Sequence, residues 1–247
     1  MQYVKIKDAI VEQITSGMLT PRQKLPAERK LAESFGTTRV TLREALSLLE
    51  AEGIIFREDR RGWFISPEPL KYDPTQTLNF SNMAKAQNRA PKTELISAKC
   101  ILANTQAATL LQLPPFADVY QIDRVRYLEE RPVVFVTNYV RPELFPNLLS
   151  HDLSQSLTEI YQQHYGTVYQ TVRYRISTSS LLAHTAQALR ATSGTPATVV
   201  ERMNYSQEGQ LIDCDIEYWR HDAIRIESVA ELSHSSEHIR VNTLRNS

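Results

Sequence analysis

The first 66 positions carry apolar residues at helical spacing and then switch to two short apolar runs. Between 3 and 16, Val4, Ile6, Ala9, Ile10 and Ile14 recur every three or four residues, with Gln13 the polar exception. Gly17 closes that segment, and the turn GMLTPRQK follows. Leu25-Pro26 opens a second, shorter helix over AERKLAESF, with the proline near its start. After Gly36, Thr37 and Thr38 offer hydroxyl caps to a third helix, RVTLREALSLLEAE. Val40, Leu42, Ala45, Leu46, Leu48 and Leu49 are its expected buried stripe, and Gly53 stops it. Ile54–Arg57 and Trp63–Ile65 then flank the charged turn EDRRG, which predicts a hairpin. The order is helix, helix, turn, helix, hairpin.

Pro67, Pro69 and Pro74 follow in a stretch without periodicity, which predicts a linker over 67–77. From 78 the pattern changes. Segments 94–102, 118–128, 132–141, 167–177, 197–206 and 211–220 are expected strands. Helical stretches near 81–88, 105–112, 154–164 and 180–190 interleave with them. Glu129-Glu130-Arg131 and Gln207-Glu208-Gly209 join antiparallel hairpins. The expected fold is α+β. A winged helix-turn-helix spans 1–66, the linker 67–77, an antiparallel-sheet α/β domain 78–235 and a polar tail 236–247.

Charge narrows how the first domain could meet DNA. The chain is neutral overall, and residues 1–66 hold 11 lysines and arginines against nine acids. Affinity for a polyanion must therefore come from the placement of charge, not from excess. Arg39 and Arg43 are four apart and share a helix face. Arginine can grip guanine O6 and N7 with two hydrogen bonds, and threonine hydroxyls and helix-start amides suit phosphates. Thr37, Thr38 and Thr41 stand at that helix start, and Arg29 at the start of the preceding helix. Arg60 and Arg61 occupy the hairpin tip. The plain alternative for any one of them is a solvated arginine.

Other chemistry is thinly represented. No apolar run approaches the ~18 residues of a membrane helix, and the N-terminus lacks a signal-peptide core, so a cytoplasmic, membrane-free protein is expected. Cys100 and Cys214 suit neither a disulfide framework nor a zinc site. No nucleophile elbow, zincin, P-loop or C-x-x-C motif occurs. His234 and His238 read as solvated tail residues. No catalytic residue, metal or cofactor is assigned.

Residues 25–65 resemble the GntR family of winged-helix regulators. LPAERKLAESFGTTRVTLREAL is close to the family's helix-turn-helix run, and RRGWFIS resembles its wing, with Gly62 at the family's wing glycine. Three residues depart from the pattern: Ala27 replaces a capping serine, Arg60 a first wing glycine and Trp63 a threonine. The second half is similar to the HutC branch, whose effector domain, UTRA, has a chorismate-lyase-like fold. The matching stretches are LNFS at 78–81, LQLPPFADVYQIDRVRYLEERPVVFVTNYV at 111–140, SLTEIYQQHYG at 156–166 and LIDCDIEYWRHD at 211–222.

The resemblance implies a homodimeric regulator, expected to be a repressor, whose grip on double-stranded operator DNA is released or retuned by a small anionic effector. It places Phe80, Ser81, Arg124, Arg126, Val136, Ser156, Thr158, Asp213 and Trp219 at the effector site. Arg124 and Arg126 alternate on one strand and so face one way. Two guanidiniums on one face are costly to bury without an anion. Ser81, Ser156 and Thr158 stand at helix starts, where free N–H groups suit phosphate, phosphonate or carboxylate. Val136 stands where sugar-phosphate-sensing relatives tend to carry Glu, which argues for a smaller anion. An imidazole-acrylate effector stays open, as does a lyase-type enzyme fused to a DNA-binding module.

Overall fold

A computed structural model describes residues 1–76 and 79–230. The expected polar tail, His234 and His238 lie outside the described residues.

Helix α1 (Gln2–Thr15) buries Ile6 and Ile10 against α3. Helices α2 (Glu28–Ser34) and α3 (Arg39–Ala51) form the helix-turn-helix, and strands β1 (Ile55–Glu58) and β2 (Gly62–Ile65) form the wing. The core is Leu31, Leu42, Leu46, Leu49, Ile55 and Ile65 with their neighbours. Two members of the expected stripe on α3 are not in it. Val40 is 69% exposed and Leu48 38% exposed. Successive residues on a helix point about 100° apart, so a face centred on Leu42, Ala45, Leu46 and Leu49 turns Val40 outward.

The expected linker holds a strand. In β3 (Leu70–Tyr72), Leu70 and Tyr72 are buried and Lys71 is exposed. β3 pairs in parallel with β10 (Ile224–Ile226). Three residues are too few to show periodicity among prolines, and the partner lies over 150 positions away.

The second domain runs α4 (Phe80–Ala86), β4 (Pro91–Leu102), α5 (Thr105–Leu111), β5 (Asp118–Leu128), β6 (Arg131–Val140), α6 (Leu157–Tyr165), β7 (Thr171–Ser180), α7 (Ala183–Ala188), β8 (Pro196–Tyr205) and β9 (Leu211–Arg220). Its six long strands form one antiparallel sheet in the order β4-β5-β6-β9-β8-β7. β5 and β9 coincide with the expected strands. β7 begins four residues later than expected, after the loop that carries Tyr169.

The two domains meet along a seam of buried charge. Asp222, just after β9, accepts from Arg131 at 2.6 Å and from Ser66 at 3.1 Å. Arg220 donates to the carbonyls of Arg57 and Leu189, and His221 lies 2.6 Å from the carbonyl of Glu50. The Phe56 ring lies 3.5 Å under the Arg131 guanidinium and 5.4 Å from that of Arg220. At the wing tip, the Asp59 amide donates to the carbonyl of Arg190.

Candidate functional site

The N-terminal candidates gather on one side of the helix-turn-helix. Thr38 caps α3 by accepting from the Thr41 amide, and the two hydroxyls lie 3.0 Å apart. Arg39 and Arg43 both reach Glu28, at 3.9 and 2.7 Å. Glu28 is bound through the Nε of Arg43, which leaves the terminal nitrogens of that guanidinium pointing away. Trp63 donates to the other Glu28 oxygen at 3.2 Å, so the wing residue that departs from the family pattern ties wing to recognition helix. Burial alone would raise the Glu28 pKa, but these hydrogen bonds and the Arg43 and Arg57 charges hold it below the usual range. Ala27 gives α2 no side-chain cap.

Arg29 is exposed, with Glu33 3.4 Å away. Arg60 is exposed at the tip, with backbone in the left-handed region at φ +58°. Arg61 pairs with the buried Glu58, and Gly62 takes φ +102°. Thr37 differs from expectation: its hydroxyl is buried and makes no hydrogen bond among the described residues.

The second domain holds a cavity of about 700 Å³ between the sheet, the start of α4, the start of α6 and the loop before β7. Phe80, Ser81, Arg124, Arg126, Ser156 and Thr158 all line it. Ser156 caps α6 by accepting from the Glu159 amide, and Asn79 caps α4. Arg124 is buried, donates to Asn138 at 2.8 and 3.1 Å, and reaches the Gln155 carbonyl. Burial, then the Arg126 charge, brings its pKa down to about 10, so it remains a cation at neutral pH. Arg126 lies 5.3 Å from the Phe80 ring and 3.4 Å from Glu217.

Three expected site residues are not in the wall. Val136 and Trp219 are fully buried in the core under α4, and the Trp219 indole donates to Glu217. Asp213 is buried behind Tyr169 and accepts from Tyr161 at 3.0 Å, Tyr169 at 2.7 Å and Asn204 at 2.8 Å. All three sit on strands at inward positions, but neighbouring side chains cover them, Tyr161 and Tyr169 over Asp213 and Phe80 beside Trp219. The wall instead gains Asn138, Arg202 and Asp215, which stand side by side on β6, β8 and β9. Each is a polar residue at an inward position of its strand, which the two-residue period could have marked.

Burial, and then the Asp215 charge, push the Asp213 carboxyl up to about 7. Between the ordinary carboxylate range and about 7, the unfolded chain has lost this proton and the folded chain keeps it. Stability therefore falls as pH rises through that window and flattens above it. Urea denaturation should show a loss between pH 5 and pH 7.5 that Asp213→Asn reduces. An equal loss in both would remove Asp213 as its source.

The comparisons with known proteins agree with this architecture. Residues 2–65 match the bacterial regulatory proteins of the gntR family, and residues 86–225 match the UTRA domain. The HTH-type transcriptional regulator YihL of Escherichia coli strain K12 is 31% identical over 221 residues, covering 88% of this chain and 93% of its own. The HTH-type transcriptional repressor NagR of Bacillus subtilis strain 168 is 26% identical over 211 residues, covering 85% and 87%. The crystal structure of PhnF from Mycobacterium smegmatis superposes with a TM-score of 0.65 at 24% identity, covering 92% of this chain and all of that one. YihL and NagR are transcriptional regulators by name and lend the lyase-type enzyme alternative no support. Among the described residues no helix is long and apolar enough to cross a membrane, and no group of three or more His, Cys, Asp or Glu is arranged to hold a metal. With a gntR-type helix-turn-helix joined to a UTRA effector domain, the chain belongs to the GntR family of transcriptional regulators.

Proposed function

We propose that this regulator acts as a cytoplasmic homodimer on a pseudo-palindromic operator and that a small anion in the 700 Å³ cavity changes its grip. The division is winged helix-turn-helix 1–66, linker 67–77, effector domain 78–235 and tail 236–247. Recognition falls to the start of α3, with Thr38, Arg39, Thr41 and Arg43, supported by Arg29, the wing residues Arg60, Arg61 and Gly62, and the α2–α3 turn at Thr37. A surplus of two charges in this domain is too small for tight binding by one copy. Two linked copies multiply their effective affinity and read two half-sites.

The observation that carries the effector reading is the anion pole of the cavity. Arg124 is a buried cation whose hydrogen bonds go to neutral groups, Asn138 and the Gln155 carbonyl. It lines the cavity beside Arg126, together with Ser81 in the first turn of α4 and Ser156 and Thr158 at the capped start of α6. Such a set suits a phosphate, phosphonate or carboxylate. The effector shifts the dimer by binding one arrangement of the winged helices better than the other. That difference is typically worth about 1–3 kcal/mol.

Arg126→Ala should leave operator binding intact and make it unresponsive to effector. Gel-shift titration with and without phosphorylated, phosphonate and carboxylate metabolites, after a thermal-shift screen of the same compounds, checks this. A responsive Arg126→Ala protein would sink the assignment of the cavity.

A further inference from the structure

Arg202 stands apart from its neighbours in the cavity. Its side chain is only 19% exposed, yet its Nε has no partner among the described residues. Its Nη1 lies 3.7 Å from Asp215 and 3.9 Å from Glu217, beyond hydrogen-bonding reach. Both acids are committed elsewhere. Asp215 accepts from Asn138 and, at 3.3 Å, from Asn204. Glu217 accepts from Trp219 at 2.8 Å and Arg126 at 3.4 Å. The buried Nε of Arg202 thus lacks an acceptor among the described residues, and its long ion pairs to Asp215 and Glu217 leave room for a closer one.

The space beside Arg202 is a second lobe. A smaller cavity of about 230 Å³ shares Gln76, Phe80, Arg126, Tyr174 and Arg202 with the larger one. Its outer wall is β3, through Lys71 and Tyr72, and Gln87 pins Lys71 by two backbone hydrogen bonds. β3 is the strand that leads out of the DNA-binding domain. Among the residues lining the two lobes, six are cationic and four acidic, with Lys92 also paired to Glu94 at 2.8 Å. The pole at Arg124 and α6 accounts for one anionic group. Arg126 and Arg202 flank room for another.

We propose that the effector carries two acidic groups: an anionic head at the Arg124 pole and a carboxylate held by Arg202 in the lobe under β3. This rests on the anion reading of the larger cavity and adds its substrate class. A planar carboxylate fits the fork of a guanidinium with two hydrogen bonds, which the flanking acids do not provide. A ligand seated this way touches both the sheet and the strand that enters from the winged helix, so its second group is the one that reaches toward the DNA-binding domain.

The test uses the full chain and isothermal titration calorimetry. Phosphoglycolate, 3-phosphoglycerate and 4-phosphoerythronate place a carboxylate at increasing distance from a phosphate, and each is compared with its alcohol counterpart. At least one acid should bind tenfold or more tightly than its alcohol. Arg202→Gln should abolish that preference while holding the alcohol's affinity within about twofold. Arg202→Lys keeps the charge but not the fork and should lose most of the preference. Equal binding of every acid and alcohol overturns the two-group effector and leaves the anion pole standing. Arg202→Gln weakening acid and alcohol alike, or Arg202→Lys retaining the full preference, overturns the role of Arg202. If neither series binds the folded protein at millimolar concentration, the anion reading of the cavity falls with it.

Discussion

Arg43→Ala is expected to abolish operator binding while leaving effector binding unchanged. The expectation rests on how Arg43 is held. Glu28 grips its Nε at 2.7 Å, and Trp63 and the cap of α3 fix Glu28 and the helix start in turn. The terminal nitrogens are thereby aimed outward on a side chain that has already lost much of its freedom, which is what a two-bond contact with a base requires. One such contact is worth about 1–3 kcal/mol, so a dimer that uses it twice loses about 2–6 kcal/mol, roughly thirtyfold to twenty-thousandfold in affinity. Fluorescence anisotropy with operator DNA at two salt concentrations checks it. A uniform loss on all sequences, with a salt slope reduced by about one per copy, would instead make Arg43 a phosphate contact. Full operator affinity in Arg43→Ala would remove it from the interface.

Asp222→Ala should cost about 3–5 kcal/mol and separate the winged helix from the effector domain. Asp222 is the acceptor at the centre of the seam, bonded to Arg131 and Ser66 and 3.7 Å from Arg220. Removing it leaves two buried guanidiniums beside the Phe56 ring without their shared carboxylate. Deleting one partner of a buried ion pair costs this much because the remaining charge is uncompensated. Urea denaturation should show the loss, and limited proteolysis should cut faster between 66 and 76. A change under 1 kcal/mol with unchanged cleavage would mean the seam does not hold the domains. The pH dependence has a definite sign. Burial alone would raise the Asp222 pKa, but the Arg131 and Arg220 charges and the Arg131 hydrogen bond hold it below the usual carboxylate range. Its contribution is therefore present at neutral pH and lost as pH falls through the lowered value.

The seam also bears on control. The wing that would approach DNA is tied at its base to Arg220 and Arg131 and at its tip to Arg190, all of them effector-domain residues. β3, paired with β10, joins the same region to the wall of the smaller lobe. An effector that moves β3 thus acts on elements that already hold the wing.

Much of the first domain was legible because its signals are local. Glycines and hydroxyl caps mark helix ends within a few residues, and the run from Leu25 to Leu46 has a family's pattern of spacing. Thr38 capping α3 and the hairpin around EDRRG follow from chemistry within a turn or two. The second domain's strands were legible for the same reason, since alternation needs no partner to be seen. The pairing of Arg124 with Arg126 on one face also follows from the two-residue period of a strand.

What the sequence left open depends on contacts made across the fold. Val40 looked like core and is solvent-facing, because neighbours in space, not the period alone, choose which apolar residues a helix buries. β3 is a strand only because β10 runs beside it. Asp213 and Trp219 belong to the right strands but lie one layer too deep, since Tyr161, Tyr169 and Glu217 close over them. Arg202, Asp215 and Asn138 enter the wall because the β8–β9 hairpin stands in register with β6, about 70 positions earlier. The sequence by itself determined the domain order and the family, since these rest on local spacing. Only the tertiary structure decided which polar groups share the cavity and which charges lock the domains together, because burial and charge pairing are set by distance in space.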